Sequence, residues 1–372
     1  MGVAARAIRA AVAVAPLRTE LRTLAVPAFD ADAGLLRVEA TGVCGSDWPY
    51  YQHYPQERGP LILGHETVGH VSAMGAAAAK RWGVKEGDRV ALEEYLPCGH
   101  CEYCLSGDLR LCEATELRAG TLRYGSTGLS QAPGLWGGYS EYLYLHPSTV
   151  FHKLPAHVPA RHATLALPLG NGIDWVVRQG RVAPGQTVVI QGPGQQGLAC
   201  VIAAKEAGAS TIIVTGLGRP ADRLRLEVAK KLGADHTIDV ESEDLLVKVS
   251  ELTGGRMADV VVDCAAGGPS TVTAAIRLAR KRGTILLAAQ KQTRLPEFDS
   301  DALISRFLTV KGMRGHSFEA VETAIRIIAS GRYPLHEMCT HLFGLDQVDL
   351  ALRSIGGTGL DDAIHMSIDP WQ

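Results

Sequence analysis

The sequence predicts an α/β protein in which a mostly β region is followed by a doubly wound parallel sheet. Three observations carry that expectation. The 372 residues exceed what one hydrophobic core usually serves, so two domains are the default. Up to about residue 155, short apolar runs such as LLRVEATGV and SEYLYLHP are set among glycines and prolines, the pattern of an irregular β domain. From about residue 160 short apolar runs alternate with helically spaced segments, as they do in parallel-sheet proteins.

Taken in order, AIRAAVAVAP and LRTELRTLAVP read as opening strands. Arginines ahead of the first apolar run loosely imitate a signal peptide, but the strand reading accounts for both segments. TVVIQG is a short strand of the buried type and QGLACVIAAKEAGA has helical spacing; STIIVTG and RLRLEVAKKLGAD repeat the pair. ADVVVDCAAG, a helix in STVTAAIRLARK and GTILLAA continue the alternation. Past residue 300 the strand–helix period fades, although FEAVETAIRIIASG is a clear amphipathic helix. The expected domains are 1–158, with a metal-bearing lobe, 159–300 for the parallel sheet, and 301–372 folding back onto the first.

Composition narrows the function. Apolar residues make up 46% and charged residues 20%, with a net charge of -2 and no block of like charge, which speaks against a nucleic-acid groove or membrane-surface patch. Polar residues interrupt every apolar stretch before it reaches membrane-spanning length. Four of eight cysteines crowd into residues 98–112, which favours metal over a disulfide scaffold and a reducing, cytoplasmic setting.

Those four, Cys98, Cys101, Cys104 and Cys112, stand at C-x2-C-x2-C-x7-C. Four thiolates on one short excursion close a tetrahedral shell around Zn2+ and leave no position for substrate, so the role is structural. A ferredoxin-type iron–sulfur run would space its last cysteine differently. Gly192, Gly194 and Gly197 form G-x-G-x-x-G between a strand and a helix. The first glycine allows a tight turn, the second lets backbone approach a pyrophosphate, and the third permits close helix packing. Gln195 and Gln196 open that helix, whose N-terminus is the anion site. At the end of the following strand, where an NAD site carries Asp or Glu, stands Gly216, with Arg219 and Arg223 close behind. Lacking that carboxylate, the site is expected to take NADP somewhat ahead of NAD.

The strings GVCGSD, GHETVGHV, GDRV, CGHCEYCLSGDLRLC, GGYSEY, GPGQQG and AKKLGAD, in this order, resemble the zinc-dependent medium-chain alcohol and polyol dehydrogenases. The resemblance implies a GroES-like catalytic domain and a Rossmann domain. It implies a catalytic zinc on Cys44 and His65, with Asp47 orienting His65 through its other nitrogen. Glu66 is placed as a metal ligand or a supporting group, and Ser46 as the hydroxyl that takes the alcohol proton. His53 lies four residues later than the family's relay histidine. Asn171 falls where relatives contact the nicotinamide, though it also suits a helix-start cap. Dimers or tetramers are the family's usual assemblies.

The match breaks at Leu167, where relatives carry a third acidic or cysteine ligand. Three outcomes stay open: Glu66 completes the shell, Asp174 or a nearby polar group substitutes, or the site holds metal weakly. The expected activity is NAD(P)-dependent interconversion of a secondary alcohol and its ketone. The aromatic residues Trp48, Tyr50, Tyr51 and Trp136 hint at a bulky or cyclic substrate. A zinc-independent carbonyl or enoyl reductase, or a nonenzymatic cofactor-binding relative, are the alternatives.

Overall fold

The computed structural model describes residues 7–116, 121–266, 268–295 and 298–372. The chain divides into two compact units: Met1–Leu167 with Ile325–Ser330 and Cys339–Gln372, and Pro168–Ala324 with Gly331–Met338. The first eight strands are β1 (Ile8–Ala15), β2 (Arg18–Leu24), β3 (Gly34–Gly42), β4 (Leu61–Ile62), β5 (Glu66–Met74), β6 (Arg89–Leu92), β7 (Tyr142–Leu145) and β8 (Phe151–Lys153). The second unit holds β9 (Thr187–Gln191), β10 (Thr211–Gly216), β11 (His236–Asp239), β12 (Ala258–Asp263), β13 (Ala279–Leu287) and β14 (Thr309–Gly312). The chain then contributes β15 (Cys339–Phe343) and β16 (His365–Ile368) to the first unit.

In the first unit a three-stranded sheet runs β2-β1-β4, and a larger one runs β15-β16-β3-β5-β6-β8 with β7 also paired to β3. The β3–β5 pairing carries two irregularities of opposite sense. Ser72 is skipped on β5 and Glu39 on β3, so the register lost at the first is restored at the second. Such single-residue bulges re-aim the side chains beyond them. Past the second, Thr41 faces Thr67 and Gly42 faces Glu66. Glu39 is held in its bulge by Arg89, whose Nε donates to Oε2 at 2.7 Å and Nη2 to Oε1 at 3.1 Å. The apolar faces of β1 and β3 pack with Tyr51, Leu135 and Tyr139 in one core, while Leu36, Val38, Val90 and Trp136 belong to a second.

The second unit is the alternating half. Its six strands are all parallel, in the order β11-β10-β9-β12-β13-β14. The central strand β12 is buried along its whole length, so ADVVVD reads as an apolar run rather than an alternating one. Two details depart from the sequence reading. The helix in STVTAAIRLARK ends at Leu278, and β13 begins at once, at Ala279. The sheet also gains β14 beyond residue 300, a four-residue strand too short and too polar to register as a period. No helix among the described residues is long and apolar enough to cross a membrane.

Candidate active site

The β3–β5 register builds the first cluster. Because Gly42 and Glu66 are direct partners, the chain leaving β3 at Cys44 and the chain entering β5 at His65 run side by side. One ligating atom each from Cys44, His65 and Glu66 lies within 4.8 Å of the others. Ser46 Oγ donates to Cys44 Sγ at 3.2 Å and stands 3.3 Å from His65 Nε2. Asp47, 1% exposed, sets its Oδ1 3.2 Å from His65 Nδ1. Its Oδ2 accepts from Tyr139 Oη at 2.8 Å and from the Cys44 N–H at 3.1 Å. The carboxylate thus fixes the imidazole with Nε2 turned to the cysteine.

Gly42 makes room for the third member. A Cβ there would fall 2.4 Å from Glu66 Oε2 and 2.9 Å from His365 Cε1. Burial, then the charge of Glu66, push the Cys44 thiol up. For His65 burial acts to lower the value, but Asp47, Glu94 and Cys44 outweigh it and carry the imidazole well above its usual range. Sulfur, imidazole nitrogen and carboxylate oxygen in so compact a group are the donor set of Zn2+, whose charge would stabilise the thiolate.

Sequence reasoning missed two neighbours. Glu94 Oε2 lies 3.9 Å from His65 Nε2, and Arg123 Nη2 lies 2.9 Å from the same oxygen. Their only sequence signal is a second acid in EEY ahead of the cysteine cluster, indistinguishable from a solvated charge.

The sulfurs of Cys98, Cys101, Cys104 and Cys112 form the second cluster, again within 4.8 Å. Sγ–Sγ distances of 3.5 Å (Cys101–Cys104) and 3.9 Å (Cys98–Cys104) bracket the roughly 3.8 Å edge of a zinc–sulfur tetrahedron. All four cysteines are free thiols. The N–H of His100, with other local donors, lowers Cys98 to about 6, whereas burial raises Cys104 to about 12. His100 itself is exposed and bonds the Cys98 carbonyl.

In the second unit β9 ends at Gln191 and the chain turns at Gly192, φ +94. A Cβ on Gly197 would sit 1.9 Å from the Gly192 oxygen, and one on Gly192 would meet Ala265 at 2.9 Å, whereas one on Gly194 would meet nothing within 4 Å. Two glycines are therefore packed and the third presents bare backbone at the start of the helix Gln195–Glu206, the cradle a pyrophosphate requires. Asn171 is held at both ends, its Nδ2 donating to Gln196 Oε1 at 2.9 Å and its Oδ1 2.8 Å from His316 Nδ1. Gly216 packs on Pro193. Beyond it the Leu217 N–H is taken by Asp222 and the Gly218 N–H by Glu241, both at 2.9 Å, with Asp239 alongside. Arg219 caps the next helix and is exposed.

Other candidates fall elsewhere. Leu167 is buried in the helix Ala166–Gly172 and offers no donor atom. Asp174 accepts from the Ser317 N–H and lies 3.6 Å from Arg178 Nε, outside both metal clusters. His53 is exposed at the end of the helix Asp47–His53. Tyr51 is core: its hydroxyl is spent on Asp349 and the Leu17 carbonyl. Trp136 is likewise buried, bonding the Gln131 carbonyl. Cys200 is a buried residue 3.9 Å from Cys264.

A β unit with a Cys–His–Glu cluster and a four-thiol lobe, followed in the chain by a parallel sheet with a glycine-rich turn, is the architecture of the medium-chain dehydrogenases. Residues 30–156 match the alcohol dehydrogenase GroES-like domain and residues 197–330 the zinc-binding dehydrogenase domain. The chain belongs to the zinc-type medium-chain dehydrogenase family. It is 40% identical over 368 residues, 98% of each chain, to a probable alcohol dehydrogenase of Mycobacterium tuberculosis (strain ATCC 25618 / H37Rv). It is 32% identical over 352 residues, 93% of each chain, to a sorbitol dehydrogenase of Bacillus subtilis (strain 168). A solved oxidoreductase/dehydrogenase of unknown specificity from Escherichia coli superposes with a TM-score of 0.84 at 27% identity, covering 98% of this chain and 99% of that one.

Proposed function

We propose that the chain oxidises a secondary alcohol to its ketone, or the reverse, with zinc held by Cys44, His65 and Glu66 and a second, structural zinc held by Cys98, Cys101, Cys104 and Cys112. The observation that carries this reading is the gathering of three different donor types within 4.8 Å beside the Ser46 hydroxyl. When bound, zinc supplies Lewis acidity toward the substrate oxygen and the nicotinamide supplies a hydride acceptor. Asp47 orients His65 and fixes its tautomer. Ser46 takes the alcohol proton and, being exposed, passes it to water without His53. Glu66 fills the ligand position that Leu167 leaves empty.

Gly192, Gly194 and Gly197, with Gln195 and Gln196 at the helix start, bind the dinucleotide, and Asn171 positions its nicotinamide end. Arg219 is the group that would favour a 2′-phosphate. Against it, both N–H donors after Gly216 are already taken by Asp222 and Glu241. A dianion entering there meets Asp222, Asp239 and Glu241, so we read the cofactor as NAD. A homodimer or homotetramer is the assembly we infer. The test is zinc content together with NAD- and NADP-linked turnover of a panel of secondary alcohols. Two zincs per chain and a Cys44→Ala variant that has lost turnover are expected; undiminished hydride transfer in that variant refutes the mechanism.

A further inference from the structure

The Glu94–Arg123 pair is built into the site and explained by neither zinc cluster. Backbone pairing fixes it: the Tyr124 N–H donates to the Glu94 carbonyl at 3.1 Å, and Tyr95 bridges Arg123. The same loop is pressed onto the metal-ligand strand, since a Cβ on Gly125 would lie 3.0 Å from Gly64 and 3.1 Å from His65 Cβ. The Arg123 side chain is only 7% exposed, and its guanidinium lies 4.8 Å from the Tyr95 ring centre. Its Nε and Nη1 are buried without a hydrogen-bond partner. Desolvating a guanidinium so placed carries a penalty that its ion pair and ring contact repay poorly, so stability does not account for it.

What Arg123 accomplishes is to hold a charged carboxylate at one place. Glu94 Oε2 stands 3.9 Å from His65 Nε2, the ring nitrogen on the side of Cys44, and the Glu94 side chain keeps 19% of its surface open. Glu94 lies outside the compact Cys44–His65–Glu66 set, so it faces that set without joining it. An ionised carboxylate only accepts hydrogen bonds. It therefore recognises an O–H or N–H on the substrate and repels a carboxylate or phosphate there. Vicinal hydroxyls stand about one hydrogen-bond length, ~3 Å, apart, so a substrate oxygen drawn to the cluster would carry its neighbouring hydroxyl toward groups at the edge of that cluster.

We propose that Glu94 is a specificity-determining residue that accepts the hydroxyl next to the reacting carbinol, with Arg123 as its positioning residue, so that the enzyme selects vicinal diols and polyols over simple alcohols. This inference rests on the dehydrogenase reading above. A hydrogen bond to a charged group is worth about 10- to 100-fold in selection.

The experiment compares kcat/KM for 2,3-butanediol and 2-butanol, which share a carbon skeleton, in the full chain loaded with zinc and supplied with NAD and NADP. The wild type is expected to favour the diol by about 10- to 100-fold, and Glu94→Gln to bring the ratio close to one at wild-type zinc content. The paired Glu94→Gln/Arg123→Met change removes both charges, guards against a fold lost to a buried unpaired cation, and should give the same collapse. Arg123→Lys should restore part of the preference over Arg123→Met. A wild-type ratio near one, an equal loss on both alcohols, or a preference that survives in the paired variant overturns the proposal. A zinc lost from Glu94→Gln also overturns it, by making Glu94 a ligand. A wild type that binds two zincs and dinucleotide yet oxidises no alcohol overturns the dehydrogenase reading itself, and this inference with it.

Discussion

Replacing Gly42 by alanine tests the proposed catalytic cluster without substituting any of its ligands. The added methyl would fall 2.4 Å from Glu66 Oε2 and 3.1 Å from Glu66 Cβ, against an ordinary contact of 3.4–4 Å. The carboxylate must therefore retreat by about 1 Å, several times the ~0.2 Å tolerance of a metal–oxygen bond. Retreat on the other side is blocked, because a Cβ there also meets His365 Cε1 at 2.9 Å and His365 is tied to Thr164 Oγ1 at 2.8 Å. Overpacking of this kind costs about 1–3 kcal/mol of stability, and misplacing a group that supports a metal costs about 10- to 100-fold in affinity. Zinc per chain, measured by plasma emission after dialysis against a weak chelator, is expected to fall from two to one while the four-thiol zinc stays. Shortening the ligand in Gly42→Ala/Glu66→Asp should recover part of the lost metal. Gly45→Ala, in the same loop but with nothing within 4 Å of the new methyl, is the control. Two tightly held zincs in Gly42→Ala would show that Glu66 does not bind metal.

Gly194→Ala should leave the melting temperature at its wild-type value, since its Cβ enters open space, yet weaken NADH binding measured by fluorescence quenching at least tenfold. Gly197→Ala, 1.9 Å from the Gly192 oxygen, should lower both; equal behaviour of the two variants would contradict the cradle. Cys101→Ser should release the structural zinc and lower the melting temperature, and a fully metallated variant with wild-type melting would refute a four-thiolate site. His365 is buried and its imidazole is pushed down to about 3, mainly by burial. It stays neutral in the folded chain, so the unfolded chain, titrating near 6.5, takes up its proton first as pH falls. The stability due to neutral burial is complete above about pH 6.5 and is lost progressively toward pH 3, about 2 kcal/mol of it by pH 5. His365→Asn should flatten urea-unfolding stability across that window, and an unaltered slope would refute the assignment.

What was legible in the sequence was local. The glycine turn and the four-cysteine excursion each lie within one short segment, where spacing alone sets geometry. Cys44 in GVCGSD, and His65 with Glu66 in GHETVGHV, were readable because each of the two short strings resembles the family's. Tyr51 and Trp136, expected at a pocket wall, are core because Asp349 and a turn carbonyl satisfy their polar ends. Those partners lie far along the chain for Tyr51 and inside an irregular loop for Trp136. Glu94 and Arg123 were invisible for the same reason: 29 residues separate them, and only the backbone pairing of two loops brings them together. Strand β14 escaped because four residues carry too little pattern to separate from a loop.

The two opposed bulges in the β3–β5 pair reach further than the sheet itself. Glu39 is the surplus residue of the second bulge, and Arg89 clasps it there. Deleting Glu39 would make Val38 and Ala40 neighbours opposite Gly69 and Val68, so the Gly42–Glu66 pairing would survive while the bulge and its local twist would be lost. A metal held by Cys44, His65 and Glu66 would close only over this alignment, so on the proposed reading its binding would favour the correct strand pairing. Hydrogen exchange of the β3 and β5 amides, followed as metal is withdrawn, would read that alignment directly.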